Sequence, residues 1–259
     1  MSKKPNISPD AYLRSVEPYS ALDTSLFRQL SAAARVQRVE RGQVLFEQGD
    51  QCNGVHVVVS GQLKLAFCSP QGIEKVVGIA TAGEGVGEAC IFIGKNYPVY
   101  GEALSETDLI FLPKNVLSDC LEGDQDFSYR LLVRIAEKFH GLLLDIESTC
   151  LQSGAERIVA FLLRQLADRG DLMEGAAVIE LSVPKSVIAS RLSLTQEHFS
   201  RLLRQLSEHG MIEVEGRHIH IPDVARLRHY LDSGAGHCAN RSGRSTGRGR
   251  ADWERLAVA

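Results

Sequence analysis

A change of hydrophobic period part-way along the chain constrains the fold more than any other feature. From about Ala34 to Pro113, short runs of Val, Ile and Leu are broken by turn-forming groups at Arg41-Gly42, Gly49-Asp50, Ser60-Gly61, Pro70-Gln71-Gly72 and Ala82-Gly83. That rhythm belongs to strands. Between Phe127 and Cys150 the apolar residues recur instead at steps of three and four, with no proline and a single interior Gly141, which a long helix satisfies and a strand does not. One chain therefore joins an all-β unit to a long helix.

Within the first part, Val55–Val59, Gln62–Phe67 and Glu74–Ile79 read as consecutive strands and Asp108–Leu112 as the last. About eight such strands make a roll or barrel. On the long helix, Leu132, Ile135, Phe139, Leu142, Ile146 and Thr149 form the seam of a two-stranded coiled coil. A second stripe holds Leu131, Leu143 and Leu144. Two stripes allow packing on the chain's own domain with one and on a partner with the other; the alternative is one wide core-facing stripe in a monomer.

The hydrophobic share of 44% over 259 residues suffices for one large or two small domains. No run of eighteen apolar residues occurs and the opening MSKKPNISPD is polar, so no membrane span or secretory signal is expected and the expected location is the cytoplasm. A net charge of -3 does not exclude nucleic acid, because binding needs a local basic surface. Six scattered cysteines without a C-x-x-C pair support neither a zinc site nor a disulfide framework. Each one before Cys238 is expected as a small, buried or half-buried apolar residue.

The segment Val183–Leu206 divides into a short helix, a turn around Ser193 and a second helix capped by Thr195. On the second helix Phe199, Leu202, Leu203 and Leu206 share the inward face, while Glu197, Ser200, Arg201 and Arg204 share the opposite one. Arginine reads guanine O6 and N7, glutamate accepts from a cytosine amine, and serine serves base or phosphate. Met211–Glu215, Gly216 and Arg217–Ile221 then read as a hairpin, the wing of such a domain.

Arg41–Asp50, Val58–Leu65, Gly83–Glu88 and Thr195–Leu203 together resemble the CRP/FNR family, over about Tyr19 to Asp223. The resemblance implies an α+β chain: a cyclic-nucleotide-binding-like β-roll, a long dimerisation helix and a C-terminal winged helix-turn-helix. The expected divisions are an N-terminal arm (1–18), an effector-sensing roll (19–122), the dimerisation helix (123–151), the DNA-binding domain (152–232) and a disordered basic tail (233–259) with Arg241, Arg244, Arg248 and Arg250. It further implies a homodimeric regulator, an activator, working with double-stranded DNA and RNA polymerase. The expected DNA-binding residues are Thr195, Gln196, Glu197, Ser200, Arg201, Arg204 and Arg217; Glu197, Ser200 and Arg201 match an FNR-type helix reading TTGA-like half-sites.

For the signal, the family's nucleotide cassette pairs Gly-Glu with Arg-Ser about ten residues later. Gly87-Glu88 is kept, but Pro98 and Val99 stand where Arg and Ser would, so cyclic AMP is not expected. The first fifty residues lack cysteine, so neither is an FNR-type iron–sulfur cluster. The wording Ser69–Val77 and Glu88–Ile93 followed by Asn96-Tyr97 resembles the DNR branch, which implies nitric oxide sensed through haem b. His56 and His140 are the candidate haem ligands, with Cys68 and Cys90 as thiolate options. The expected effector pocket holds Gly87, Glu88, Tyr97 and Tyr100; a cyclic nucleotide or a cysteine-based redox response are the alternatives. No catalytic motif is present, and Glu84 with Glu88 is better explained by roll architecture than by acid–base chemistry. The chain is not expected to be an enzyme.

Overall fold

A computed structural model describes residues 7–170 and 175–239. The chain divides into two compact units, residues 1–151 with 181–202 and residues 152–180 with 203–259.

The first unit opens with α1 (Pro9–Leu13) and α2 (Thr24–Ala33). Then come β1 (Arg35–Val39), β2 (Val44–Phe46), β3 (Gly54–Ser60), β4 (Leu63–Cys68), β5 (Glu74–Ala80), β6 (Gly85–Val86), α3 (Glu88–Ile93), β7 (Tyr100–Ala103) and β8 (Thr107–Pro113). The strands form two antiparallel four-stranded sheets, ordered β1-β8-β3-β6 and β2-β7-β4-β5. All four strands read from the sequence are present, each within two residues of its expected ends. Residues Gly54 to Val58 of β3 are buried without alternation, because α3 and α4 (Lys114–Gly123) also pack against this strand. The N-terminal arm is tied down: Leu13 is buried, and Tyr12 Oη donates to Val58 O (2.8 Å) while accepting from Gly83 N (2.9 Å).

The long helix is α5 (Gln125–Leu151). Its Phe127 and Leu131 are fully buried and Ile135 is partly buried against the roll's core. Two stripes allow one to pack on the chain's own domain; of the second stripe only Leu131 is buried. Leu143 and Leu144 stay exposed with Leu132, Phe139, Leu142 and Ile146, because the core reaches this helix only through its first three turns.

α7 (Lys185–Arg191) lies against β5. Ser190 Oγ accepts from Val76 N (3.0 Å) and donates to Glu74 O (3.0 Å). Lys75 Nζ donates to Ser190 O, Arg191 O and Ser193 Oγ at 3.1, 2.7 and 2.6 Å.

In the second unit, α6 (Gly154–Asp168) begins with a capping box between Ser153 and Glu156. It packs on β9 (Ala177–Glu180) and α9 (Val224–Ala239). β10 (Glu213–Glu215) and β11 (His218–Ile221) form the expected hairpin, turning at Gly216. The sequence did not reveal β9, which completes a sheet ordered β10-β11-β9. α8 (Gln196–Glu208) runs from the first unit into the second. α9 continues to Ala239, so the tail expected from 233 begins inside a helix; residues 240–259, with the four arginines, lie outside the described residues.

His56 sits on β3 opposite Phe111 of β8, with ring centroids 5.0 Å apart, and the Phe46 ring lies 6.0 Å away. Burial in this aromatic surround pulls its pKa down to about 4. The unfolded chain therefore binds the extra proton more readily, and stability falls as pH drops from about 6.5 towards 4. His56→Gln should flatten that part of the stability–pH curve by on the order of 3 kcal/mol, measured by urea denaturation at stepped pH. An unchanged slope would show that His56 stays accessible to protons.

Candidate functional site

The turn between α7 and α8 holds Ser193 at φ 56, a left-handed conformation in a residue other than glycine. Ser193 N donates to Ser190 O and Leu194 N to Ala189 O, closing the corner. Thr195 then caps α8, its Oγ1 accepting from His198 N at 3.2 Å. Phe199, Leu202, Leu203 and Leu206 are buried. Gln196, Glu197, Ser200, Arg201 and Arg204 are exposed, so one face of α8 carries five of the seven expected DNA-binding residues. Among the described residues, Glu197, Arg201 and Arg204 are held by no side-chain ion pair, and their charges are available to a base edge or phosphate. In the second unit Arg217 stands exposed between β10 and β11.

The four expected effector residues do not line one pocket: Gly87 lies against Tyr97, while the Glu88 and Tyr100 side chains turn elsewhere. Gly87 opens α3 at φ 101, where a Cβ would stand 2.9 Å from Gly54 O. Glu88 is buried and turns to α5: its Oε2 takes a bond from Lys138 Nζ at 2.5 Å, and Arg134 Nε stands 3.7 Å from Oε1. Oε1 itself accepts no hydrogen bond. Tyr97 is stacked in the core on Phe46, with centroids 3.8 Å apart. Tyr100 Oη donates to Glu74, in a separate cluster where Lys64 Nζ lies 2.7 Å from Glu74 and 3.0 Å from Glu102. Burial and this bond push the Tyr100 phenol up to about 12. Lys138 and Arg134 were missed as site residues. Their signal is a basic stripe, Arg130, Arg134 and Lys138, at helical spacing on an otherwise apolar helix.

A cavity of about 320 Å³ opens beside Lys138. Leu65, Val77, Ile79, Val86 and Leu142 give it apolar walls, and Glu84, Lys138, Asp145 and Arg191 add charge. Glu84 is tied to its own turn by bonds from Thr81 N (2.6 Å) and Thr81 Oγ1 (2.9 Å), an architectural role as expected.

The expected haem ligands do not fit a haem. His56 is enclosed by Phe46 and Phe111, His140 is exposed on α5, and the cavity is lined by no histidine, cysteine or methionine. The thiolate options are no nearer: Cys68 is exposed and Cys90 half-buried on α3. Cys68 and Cys150 also depart from the expected burial, both standing exposed. No group of three or more metal-ligating side chains occurs among the described residues.

A β-roll, a long helix and a helix-turn-helix with a wing thus follow one another in this order. Residues 36–124 match the cyclic nucleotide-binding domain model and residues 156–230 the Crp-like helix-turn-helix domain model. The chain belongs to the CRP/FNR family. It is a DNA-binding transcription regulator and not an enzyme. The Fumarate and nitrate reduction regulatory protein of Escherichia coli (strain K12) is 26% identical over 226 residues, 86% of this chain and 87% of that one. The Anaerobic regulatory protein of Pasteurella multocida is 28% identical, covering 81% and 77%. A protein of Ruegeria pomeroyi named for cyclic nucleotide binding has a solved structure, 30% identical, covering 87% of this chain and 97% of that one with a TM-score of 0.55. A CooA variant from Carboxydothermus hydrogenoformans, 20% identical over 85% and 94%, shares the fold at a TM-score of 0.68. These matches carry the CRP/FNR family without singling out its DNR branch. No helix among the described residues is long and apolar enough to cross a membrane.

Removing Lys138 leaves a buried carboxylate without its charge-assisted bond. Lys138→Met should destabilise the protein by about 3 kcal/mol, and Glu88→Gln in the same chain should restore most of that loss. Equal losses in the single and double variants, read from urea midpoints, would show that the pair is not coupled.

Proposed function

We propose that this CRP/FNR regulator binds, as a homodimer, an inverted repeat with TTGA-like half-sites, and that a signal read in the roll controls it. The observation that carries this reading is the exposed face of α8, where Glu197, Ser200, Arg201 and Arg204 are presented together over a buried apolar face. The half-site follows from the match of Glu197, Ser200 and Arg201 to an FNR-type helix. A palindrome requires two readers related by a two-fold axis. The exposed Leu132, Phe139, Leu142 and Ile146 on α5, with the partly buried Ile135, supply the surface that brings them together. RNA polymerase is the partner that an activator of this family would meet at a promoter.

For the signal, the resemblance to the DNR branch supports nitric oxide, although the histidines are not placed to bring it in on haem. The cavity lined by Lys138 favours a second reading: a small ligand with an apolar body and one polar group for the Lys138 ammonium to meet. A cyclic nucleotide fits less well, because Lys138 already holds Glu88 and no guanidinium stands at Pro98 or Val99.

Replacing Phe139 and Leu142 with Asp should give a monomer that no longer binds operator; a dimer by sedimentation would overturn the seam. On the DNA side, Arg201→Ala should cost about 1–3 kcal/mol at the TTGA-type site with little loss on random DNA. Arg217→Ala should weaken both alike and lower the salt slope by about one. If Arg201→Ala reduced specific and random binding by the same factor, the reading helix would dock differently and the half-site assignment would fall.

A further inference from the structure

Three consecutive residues of the roll, Glu74, Lys75 and Val76, grip the corner of the helix-turn-helix. On either side of Lys75, Glu74 O and Val76 N bond to the Ser190 hydroxyl. Lys75 sends its ammonium to Ser190 O, Arg191 O and Ser193 Oγ, at 3.1, 2.7 and 2.6 Å. An ammonium has three protons, and each has an acceptor on the last turn of α7 or in the turn that follows. The last carbonyls of a helix have no partner within it, and a basic side chain nearby is a favourable one. Arg191, the basic residue of that last turn, points its guanidinium to Asp145 of α5 instead, at 3.6 Å. The cation that closes α7 therefore comes from the roll.

Among the described residues, Ser193 alone combines a positive φ with a side chain. Glycine would take this conformation without steric cost. Serine brings a hydroxyl to the turn, and that hydroxyl is exposed to solvent on one side and held by Lys75 on the other. Two residues later Thr195 caps α8, and Glu197 and Arg201 follow within its first two turns. A small rotation at Ser193 redirects everything that comes after it.

We propose that Lys75 is a positioning residue for DNA reading: its ammonium holds the corner between α7 and α8 at Ser193 and so fixes how Glu197 and Arg201 are presented. Lys75 touches no base in this role. It acts through the turn, and base selectivity thereby depends on a residue of the sensing roll. The role rests on the DNA-reading face of α8 assigned above.

The test titrates full-length Lys75→Met and Ser193→Ala against a duplex that the wild type selects from a random-sequence pool, and against random duplex of the same length. Each variant should lower the ratio of the two affinities several-fold and leave the salt slope on random DNA unchanged. The peptide from Leu192 to Phe199 should exchange its amide hydrogens faster in both. The double variant should lose no more than Lys75→Met alone, because the Ser193 hydroxyl acts through the ammonium. Urea midpoints separate this outcome from a loss of folded protein, which would lower both affinities together. Ser193→Ala, at an exposed position, carries the test if Lys75→Met folds poorly. An unchanged ratio, or equal losses on both duplexes, would overturn the positioning role. So would a salt slope lower by about one in Lys75→Met, which marks a direct phosphate contact. A pool from which the wild type selected nothing would instead overturn the DNA-reading face.

Discussion

A single buried carboxylate sets the relation between the roll and its long helix. Glu88 cannot remain charged in the interior without a partner, and Lys138 supplies it while also donating to Gly85 O at 2.7 Å. One turn earlier, Arg134 donates to Gly83 O at 2.6 Å and to Glu17 O at 2.5 Å. The loop from Gly83 to Glu88 is thereby stitched to successive turns of α5. Phe127 and Leu131 anchor the start of that helix by burial, and these polar bonds fix its rotation. The apolar stripe through Leu132 and Phe139 consequently faces away from the roll in one orientation.

The same arrangement explains how the family's nucleotide cassette can keep its Gly-Glu pair after losing its guanidinium. In this chain the positive charge comes from the helix instead of from a ligand-binding turn, so the carboxylate is satisfied from within. A signal molecule in the neighbouring cavity would compete for, or add to, an existing bond. Its effect would pass to α5 directly, through the residue it touches.

What the sequence disclosed followed from short-range patterns. The α8 faces were legible because a helix places residues three and four apart on one side, and Thr195 marks its start with a side-chain cap. The strands Val55–Val59 and Glu74–Ile79 were legible from β-branched runs between turn residues. The placement of the four candidate effector residues was not, because it depended on where consecutive strands turn their side chains. Tyr97 and Tyr100 lie close in sequence yet end in different places, one in the core against Phe46 and one on β7 beside Lys64 and Glu74. β9 was missed because Ala177–Glu180 is short and gains its partner β11 only from across the fold. His56 invited a ligand reading for want of any sequence signal that two phenyl rings would enclose it.

β5 stands at the margin of its sheet, where backbone groups have no neighbouring strand. Val76 N and Glu74 O are instead met by one hydroxyl, that of Ser190, which acts as a substitute strand one residue long. Sheet margins with open backbone groups are templates for pairing between molecules. The helix that begins the DNA-reading motif therefore also guards the protein against self-association: any state in which α7 leaves β5 bares a ready edge, and its solubility then depends on something else taking that place.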